Sequence, residues 1–300
     1  MGIVRTEHFD MARKIVSNMT TESWQNIPHV CMTCQMQADA LLDALKELNR
    51  GAAEHISANT LFTKIAAESL KAAPRMNAHL HFDRRLVRGR LDIYDNVDVS
   101  MASLLPDGRM MTLNVRDAGA KSLTQLQSSI NEQMRRAENT DLDEAMYSVS
   151  MADTLEGLRR GKVLQALCRL LGARTGPHRI RLLHGSARRE YYRIPEDQRL
   201  SVDDLRQGTV TVSNLGAACR DWVGECTILE IVPPQTAAIG LGAVALRPVA
   251  DADGTLRAAR VLPVTVAFDH RAMDTADAAP FIRRFAEICR EPDSFLRDAL

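Results

Sequence analysis

The sequence reads as an α/β protein. Two periodicities alternate along the chain and predict this class: apolar residues recur at helical spacing in several segments, and between them lie runs of strand-forming residues bounded by proline, glycine or aspartate. A third observation sets the scale, since 300 residues, 45% of them apolar, can bury a sizeable core. No repeat, low-complexity tract or flexible linker interrupts the chain. The expectation is a single domain over residues 1–300.

Taken in order, Phe9 to Met19 places Met11, Ile15, Val16 and Met19 on one helical face. A polar turn and Ile27-Pro28 follow, then an extended run from His29 to Met36. Cys31 and Cys34 form a CxxC there. Three residues apart on a strand they point to opposite faces, and no second cysteine pair completes a metal site. Asp39 is expected to cap a helix carrying Leu41, Leu42, Leu45 and Leu48, closed by Gly51. Asn59 is expected to start another, with Leu61, Phe62, Ile65, Ala66 and Leu70 inward and Pro74 beyond its end. Strands are predicted at Leu91 to Tyr94, Val97 to Leu105 and Met110 to Val115, the last two as a hairpin across Pro106-Asp107-Gly108. Ser122-Leu123-Thr124-Gln125 has the form of a capping box, with Leu126, Ile130 and Met134 on one face behind it. Leu155, Leu158, Leu164, Leu167 and Leu171 predict a further amphipathic helix, interrupted by Gly161 and ended by Gly172. Strands are then predicted at Thr209 to Ser213, Thr227 to Ile231, Ala237 to Leu246 and, after the Asp253-Gly254 turn, Leu256 to Asp269. A closing helix carries Ala278, Phe281, Ile282, Phe285 and Ile288.

Charge excludes some functions. The 38 basic and 38 acidic side chains cancel, which argues against whole-surface attraction to nucleic acid or to a membrane. No run of eighteen apolar residues exists; the best candidate, Thr227 to Val249, is broken by Glu230, Pro233-Pro234, Gln235 and Arg247. The start Met1-Gly2-Ile3-Val4-Arg5-Thr6 fits the loose myristoylation pattern, which arises easily by chance. Six cysteines, at 31, 34, 168, 219, 226 and 289, are scattered, and the chain begins without an apolar signal segment, so a reduced, cytoplasmic protein is expected. Locally, charge does bunch. From Glu156 to Arg193 ten basic residues stand against two acids, either a solvated surface or a docking surface for an anion, such as a phosphate-bearing cofactor or an acidic carrier domain. Tyr191 and Tyr192 alone are too few for a single-strand nucleic-acid platform.

Chemistry concentrates near the end, in Phe268-Asp269-His270-Arg271-Ala272-Met273-Asp274. His270 follows a long apolar strand-like run, and Asp274 stands just before an apolar helix-like run. An imidazole at such a strand end is accessible, and only its unperturbed pKa lies near neutrality. It is the best candidate base. A base needs a group to orient its ring and a donor to hold the charge that its reaction creates. Asp274 can supply the first, directly or through an arginine. By themselves, Ser213, His270 and Asp274 read first as an ordinary strand residue, a satisfied histidine and a helix cap.

Four stretches, in order along the chain, carry a resemblance that decides between these readings. Phe268 to Asp274 resembles the His-x-x-x-Asp-Gly signature of the dihydrolipoamide acyltransferases, the catalytic cores of 2-oxoacid dehydrogenase complexes. Gly208-Thr209-Val210-Thr211-Val212-Ser213-Asn214-Leu215-Gly216 resembles that family's Gly-Thr-Phe-Thr-Ile-Ser-Asn-Leu-Gly, and Pro233-Pro234-Gln235 with Thr236 to Gly242 resembles its Pro-Pro-Gln segment. Arg13-Lys14-Ile15 through Met19 to Trp24, with Ile27-Pro28-His29-Val30, resembles its amino-terminal motif. The resemblance implies the fold of chloramphenicol acetyltransferase, a two-layer sandwich of a mixed β-sheet with helices, assembled as a homotrimer with sites between subunits. It implies acyl transfer between coenzyme A, as substrate, and a second thiol, usually dihydrolipoamide. It makes His270 the general base, Ser213 the donor to the oxyanion and Asp274 the structural carboxylate, with serine and histidine from neighbouring subunits. Cofactor-binding residues are not assigned, and no metal is expected.

Departures from the family shape further expectations. Thr275 stands where the family has glycine and is expected to cap the following helix. Thr112-Leu113-Asn114-Val115 replaces a proline-containing segment of the substrate channel. No lipoyl or peripheral-subunit-binding domain is expected ahead of residue 1, nor a lipoyl group on this chain, and the carrier would act in trans. A basic insert at about 139–200 lengthens the link between the Ser122 helix and the Gly208 strand. Arg297 and Asp298 place charge where the family ends in an apolar, trimer-joining tail, so a discrete trimer is expected rather than a cage. The leading expectation is a free-standing acyltransferase acting on acyl-CoA through a ternary complex. Two alternatives stand beside it: a biosynthetic acyltransferase with an amine or alcohol acceptor, and an inactive scaffold protein of a dehydrogenase-like assembly.

Overall fold

The computed structural model describes residues 2–52, 54–105, 108, 110–159, 163–164, 167–168, 171, 182–218 and 223–299. The chain divides into two compact units: Met1–Thr21 with Gln133–Arg206, and Glu22–Glu132 with Gln207–Leu300.

The larger unit is built on a mixed sheet ordered β1-β9-β7-β6-β4-β5, with β8 also on β9. Its strands are β1 (His29–Gln37), β4 (Val99–Leu104), β5 (Met110–Val115), β6 (Val210–Asn214), β7 (Ala237–Leu241), β8 (Ala245–Ala250) and β9 (Leu256–Asp269). β4, β6 and β7 run parallel, and the other pairs are antiparallel. β9 is the organising strand. Residues Val261–Asp269 are all buried, because β1 and β7 flank them and both faces are covered. Val264, Val266 and Phe268 enter the main core, while Ala267 enters a smaller cluster with Ile27, Ile231 and Ala238. The alternation assigns the two faces. Cys34 packs on the main core and Cys31 on the smaller cluster, so the CxxC thiols do point apart.

Helices α2 (Asp39–Leu48), α3 (Ala58–Leu70), α9 (Thr275–Arg290) and α10 (Pro292–Ala299) cover the main-core face. Leu41, Leu61, Phe62, Ile65, Phe281, Phe285 and Phe295 are their buried contributions. Full burial of each such side chain stabilises by about 1.5–3 kcal/mol before entropy is charged against it. A separate two-stranded hairpin, β2 (Ala78–Asp83) with β3 (Arg88–Ile93), is linked to the sheet unit through Leu80 N–H and the Pro234 carbonyl, 2.8 Å.

Several local expectations change. α1 runs from Met11 to Asn26, so the segment read as a polar turn is helical. Asp39 is not the cap of α2; Ala38 holds that place, and the Asp39 carboxylate instead takes Arg260 Nε at 2.9 Å, a charge-assisted bond stronger than a cap. α3 is capped by Ser57, whose hydroxyl accepts from Thr60 N–H at 3.1 Å, rather than by Asn59. Thr275 is the first residue of α9, and Asp274 is its cap. The Thr227–Ile231 run is not a strand. It lays Leu229 and Ile231 on the smaller cluster, so its apolar residues mark burial without strand pairing. The run from Ala237 breaks after Leu241, where Gly242 N–H turns to the Pro263 carbonyl at 2.8 Å. The capping box of α4 (Leu123–Glu138) is present, with Ser122 N–H to Gln125 Oε1 at 3.0 Å and Gln125 N–H to Ser122 Oγ at 3.3 Å. β4 and β5 form the expected hairpin, although Pro106 and Asp107 of its turn lie outside the described residues.

In the smaller unit, α5 (Leu142–Arg159), α6 (Gly185–Tyr191) and α7 (Val202–Leu205) are joined by polar ties. Arg136 grips Asp204 through both terminal nitrogens, at 2.6 and 3.2 Å, and Glu144 accepts from Tyr192 Oη at 3.1 Å. Along the expected helix from Leu155 to Leu171, α5 covers the part up to Arg159 and the described residues 163–164, 167–168 and 171 are helical, with Leu155, Leu164, Leu167 and Leu171 exposed. Helical spacing marks a face and does not say that anything covers it. Gly161 and Gly172 lie outside the described residues. So do Arg160, Lys162, Arg169, Arg174, Arg179 and Arg181 of the basic stretch, and Cys219. Among the described residues, no group of three or more metal-ligating side chains comes together, and no helix is long and apolar enough to cross a membrane.

Candidate functional site

The turn after β9 is locked by its backbone and by one ion pair. His270 N–H donates to the Pro28 carbonyl at 3.0 Å, and Ala272 and Met273 N–H groups donate to the Asp269 carbonyl at 2.9 and 3.2 Å. Asp269, with a side chain 1% exposed, receives Arg271 through Nε at 3.0 Å and a terminal nitrogen at 2.6 Å. Such bidentate pairing fixes orientation as well as charge. Arg75 adds a tie from across the turn, 3.3 Å from the Ala272 carbonyl. On this frame the His270 ring stands half in solvent, its side chain 52% exposed.

The ring's tautomer follows from its neighbours. Nδ1 lies 3.2 Å from the Met273 carbonyl oxygen and 3.3 Å from Asp274 Oδ1. Both partners only accept, so in the neutral ring Nδ1 carries the proton and Nε2 has the lone pair. That is the form a general base requires. Asp274 is itself held where the helix begins, its N–H donating to Asp277 Oδ2 at 2.9 Å.

Ser213 sits on β6 on the face away from the helices, since Val210 and Val212 enter the main core and the odd positions point the other way. Its hydroxyl has no partner among the described residues. The following Asn214 turns the chain: its Oδ1 accepts from Ala217 N–H at 3.0 Å and its Nδ2 donates to Asn59 Oδ1 at 2.9 Å, opening α8 (Leu215–Ala218).

The structure joins His270 with Asp274 and keeps Ser213 apart from both. Ser213 pairs with Gly240, and Gly240 with Thr265. His270 is five residues beyond Thr265 and two strands away, about 17 Å along the sheet and about 10 Å across it. One chain alone does not bring the serine to the histidine.

The other motif residues are structural. Gln235, 1% exposed, donates to the Gly208 carbonyl at 2.8 Å and accepts from Thr211 Oγ1 at 2.7 Å, so the Pro-Pro-Gln stretch holds the start of β6. Gly208 must lack a side chain, because a Cβ would lie 2.8 Å from the Asp98 carbonyl carbon. His29 accepts at Nε2 from Ile231 N–H at 3.1 Å, pairs Nδ1 with the Ile27 carbonyl at 2.8 Å, and stacks on Trp24 with ring centres 4.6 Å apart. Burial pushes its pKa below the ordinary histidine value. His79 is depressed for the same reason and bridges Tyr94 Oη, at 2.9 Å, and the Gly208 carbonyl, at 3.3 Å. The Asp269–Arg271 pair lay inside the quoted signature without a role; its signal was an acid and an arginine two residues apart flanking the histidine.

A mixed sheet layered with helices, with a histidine at the exit of β9, is an α/β architecture of the expected class. The chain belongs to the family of 2-oxoacid dehydrogenases acyltransferase (catalytic domain), whose model matches residues 3–150 and 187–297. It is similar to the dihydrolipoyllysine-residue acetyltransferase component of the pyruvate dehydrogenase complex of Zymomonas mobilis, 28% identical over 284 residues, covering 93% of this chain and 48% of the relative. The chain thus spans about half that relative's length. Among solved structures, the Azotobacter vinelandii dihydrolipoamide acetyltransferase aligns with a TM-score of 0.65 at 20% identity, over 98% of this chain and 95% of that one. That work concerns the catalytic role of a serine, a histidine and an asparagine four positions after the histidine. The cubic core of a pyruvate dehydrogenase multienzyme complex aligns with a TM-score of 0.64 at 20% identity, over 98% and 95%.

Proposed function

We propose that this chain is a coenzyme A-dependent acyltransferase that moves an acyl group between CoA and a dihydrolipoyl-type thiol, with His270, Ser213 and Asp274 as its site residues. The observation that carries the reading is His270, whose Nδ1 faces the Met273 carbonyl while Nε2 has no partner among the described residues. A thiol of pKa about 8.5 is mostly protonated at neutral pH, and its thiolate is the nucleophile. Nε2 takes the thiol proton as sulfur attacks the thioester carbonyl. The resulting oxyanion accepts a hydrogen bond from Ser213, and collapse expels the second thiolate, which takes the proton back from the imidazolium. Asp274 orients the ring and stabilises its charged form.

Because Ser213 and His270 lie about 20 Å apart by strand register, the site is read as composite, with the serine of one subunit facing the histidine of the next. A homotrimer is the smallest closed ring that fits the family resemblance. The names of the relatives favour a thiol carrier over an amine or alcohol acceptor. Residues 151–186, absent from the family match, support an insertion within one acyltransferase domain. The five described cysteines are free thiols, which fits a cytoplasmic setting.

The test is turnover of acetyl-CoA with free dihydrolipoamide. His270→Ala should lose at least about a hundredfold in kcat with the wild-type sedimentation profile. A variant turning over at the wild-type rate would refute the assignment.

A further inference from the structure

The β2–β3 hairpin carries a surface that the proposed chemistry does not use. All residues from His81 to Arg90 are exposed. Asp92 takes up Arg90, at 3.1 Å, and His81, at 3.0 Å. The Asp83 carboxylate is occupied by the turn, accepting from the N–H groups of Arg85 at 2.8 Å and Leu86 at 3.1 Å. Among the described residues, Arg84, Arg85 and Arg88 have no carboxylate partner. Between them stand two aliphatic side chains in open solvent, Leu86 at 61% and Val87 at 78% exposure.

Val87 is also conformationally costly. Its φ is +49°, a left-handed backbone that a β-branched residue adopts at about 1–2 kcal/mol. Glycine or asparagine would make the turn without that cost. Arginine is enriched at protein interfaces, and the two aliphatic side chains held out in a strained turn gain only where a partner removes them from water, so the tip has the make-up of a protein-binding surface.

The hairpin stands beside the candidate base. Arg271, the residue after His270, lies over the Phe82 ring at 5.7 Å. Gly89 makes room for that ring, since a Cβ there would come 3.2 Å from Phe82 Cδ2. The basic tip is therefore anchored, through one side-chain contact, to the turn that carries the base.

We propose that the tip formed by Arg84, Arg85, Leu86, Val87 and Arg88 docks an acidic, protein-borne acyl carrier, a lipoyl-type domain, next to His270. This rests on the acyltransferase reading, in which the acceptor thiol is attached to a protein. Apolar side chains at the tip favour a protein occupant over the phosphates of CoA, which offer nothing for Leu86 and Val87 to bury against.

The test combines Arg84→Glu, Arg85→Glu and Arg88→Glu in one exposed-hairpin variant. Acyl transfer from acetyl-CoA is measured to an isolated lipoyl domain of net negative charge and to free dihydrolipoamide. The expected result is a fall of at least about tenfold in the ratio of kcat/KM on the domain to kcat/KM on the free thiol. The wild-type preference for the domain should itself weaken as salt rises from about 0.02 to 0.3 M. An unchanged ratio overturns the proposal, as does a rise confined to the KM for acetyl-CoA, which would assign the arginines to its phosphates. Loss of the wild-type assembly in the variant also overturns it, by making the hairpin a subunit contact. Should wild type transfer to no acceptor, the acyltransferase reading fails separately. Anisotropy of a fluorescently labelled lipoyl domain then decides the docking: binding that is salt-sensitive and at least about tenfold weaker in the variant supports it, and equal or absent binding overturns it.

Discussion

At the scale of single residues, the proposed chemistry turns on which nitrogen of His270 holds a proton. The Met273 carbonyl and Asp274 both face Nδ1, so the carboxylate is one of two supports and its loss should be partial. Asp274→Asn is expected to keep kcat within about tenfold of wild type, because the carbonyl still fixes the tautomer. A loss as large as that of His270→Ala would contradict this division of roles. Ser213→Ala is expected to lower kcat by about 10²–10³, the cost of one oxyanion donor, with little change in KM for acetyl-CoA. His270, Ser213 and Asp274 entered as proposed site residues through the family resemblance, since their residue types and spacing alone also fit a satisfied histidine, a strand serine and a helix cap. The carbonyl of Met273 was not legible, since a backbone atom's direction leaves no mark in the sequence. Buried histidines add a pH dependence. His29 and His79 have depressed pKa values through burial, so the native state favours their neutral forms. That contribution to stability is complete above the unfolded value near 6.5 and is lost as pH falls through the lower folded values. Denaturant midpoints should decline from pH 7 to 5, and less so in His79→Gln.

At the scale of elements, the sheet depends on close approaches that tolerate no added atoms. Gly208→Ala would set a Cβ 2.8 Å from the Asp98 carbonyl carbon, backbone against backbone, and should destabilise by well over about 1 kcal/mol. Gln235→Ala removes the side chain that ties the Gly208 carbonyl to Thr211. It should cost about 1–3 kcal/mol, read as a lower midpoint in thermal or denaturant unfolding. Elements with a buried face were well marked: β9 was read from Leu256 to Asp269 with both its ends, because a long apolar run bounded by a turn and a polar motif leaves little choice. The hairpin strand β2 went unread. Ala78, Leu80 and Phe82 do alternate with His79, His81 and Asp83, yet the strand is largely exposed, so the usual apolar contrast is weak. Thr227 to Ile231 erred in the opposite direction, since its apolar residues serve packing without hydrogen-bonded pairing.

At the scale of the molecule, the separation between Ser213 and His270 is the decisive feature. Strand register alone places them about 17 Å apart along the sheet, so the proposed site needs its serine from a second subunit. The family resemblance implied such a site, but the distance could not be read from the sequence, because it depends on β7 lying between β6 and β9. The most direct measurement is complementation between two inactive variants. Ser213→Ala and His270→Ala, coexpressed as a mixed assembly, should regain about a quarter of wild-type turnover, since a quarter of randomly formed subunit interfaces join an intact serine to an intact histidine. Mixed assemblies no more active than either variant alone would contradict a site shared between subunits.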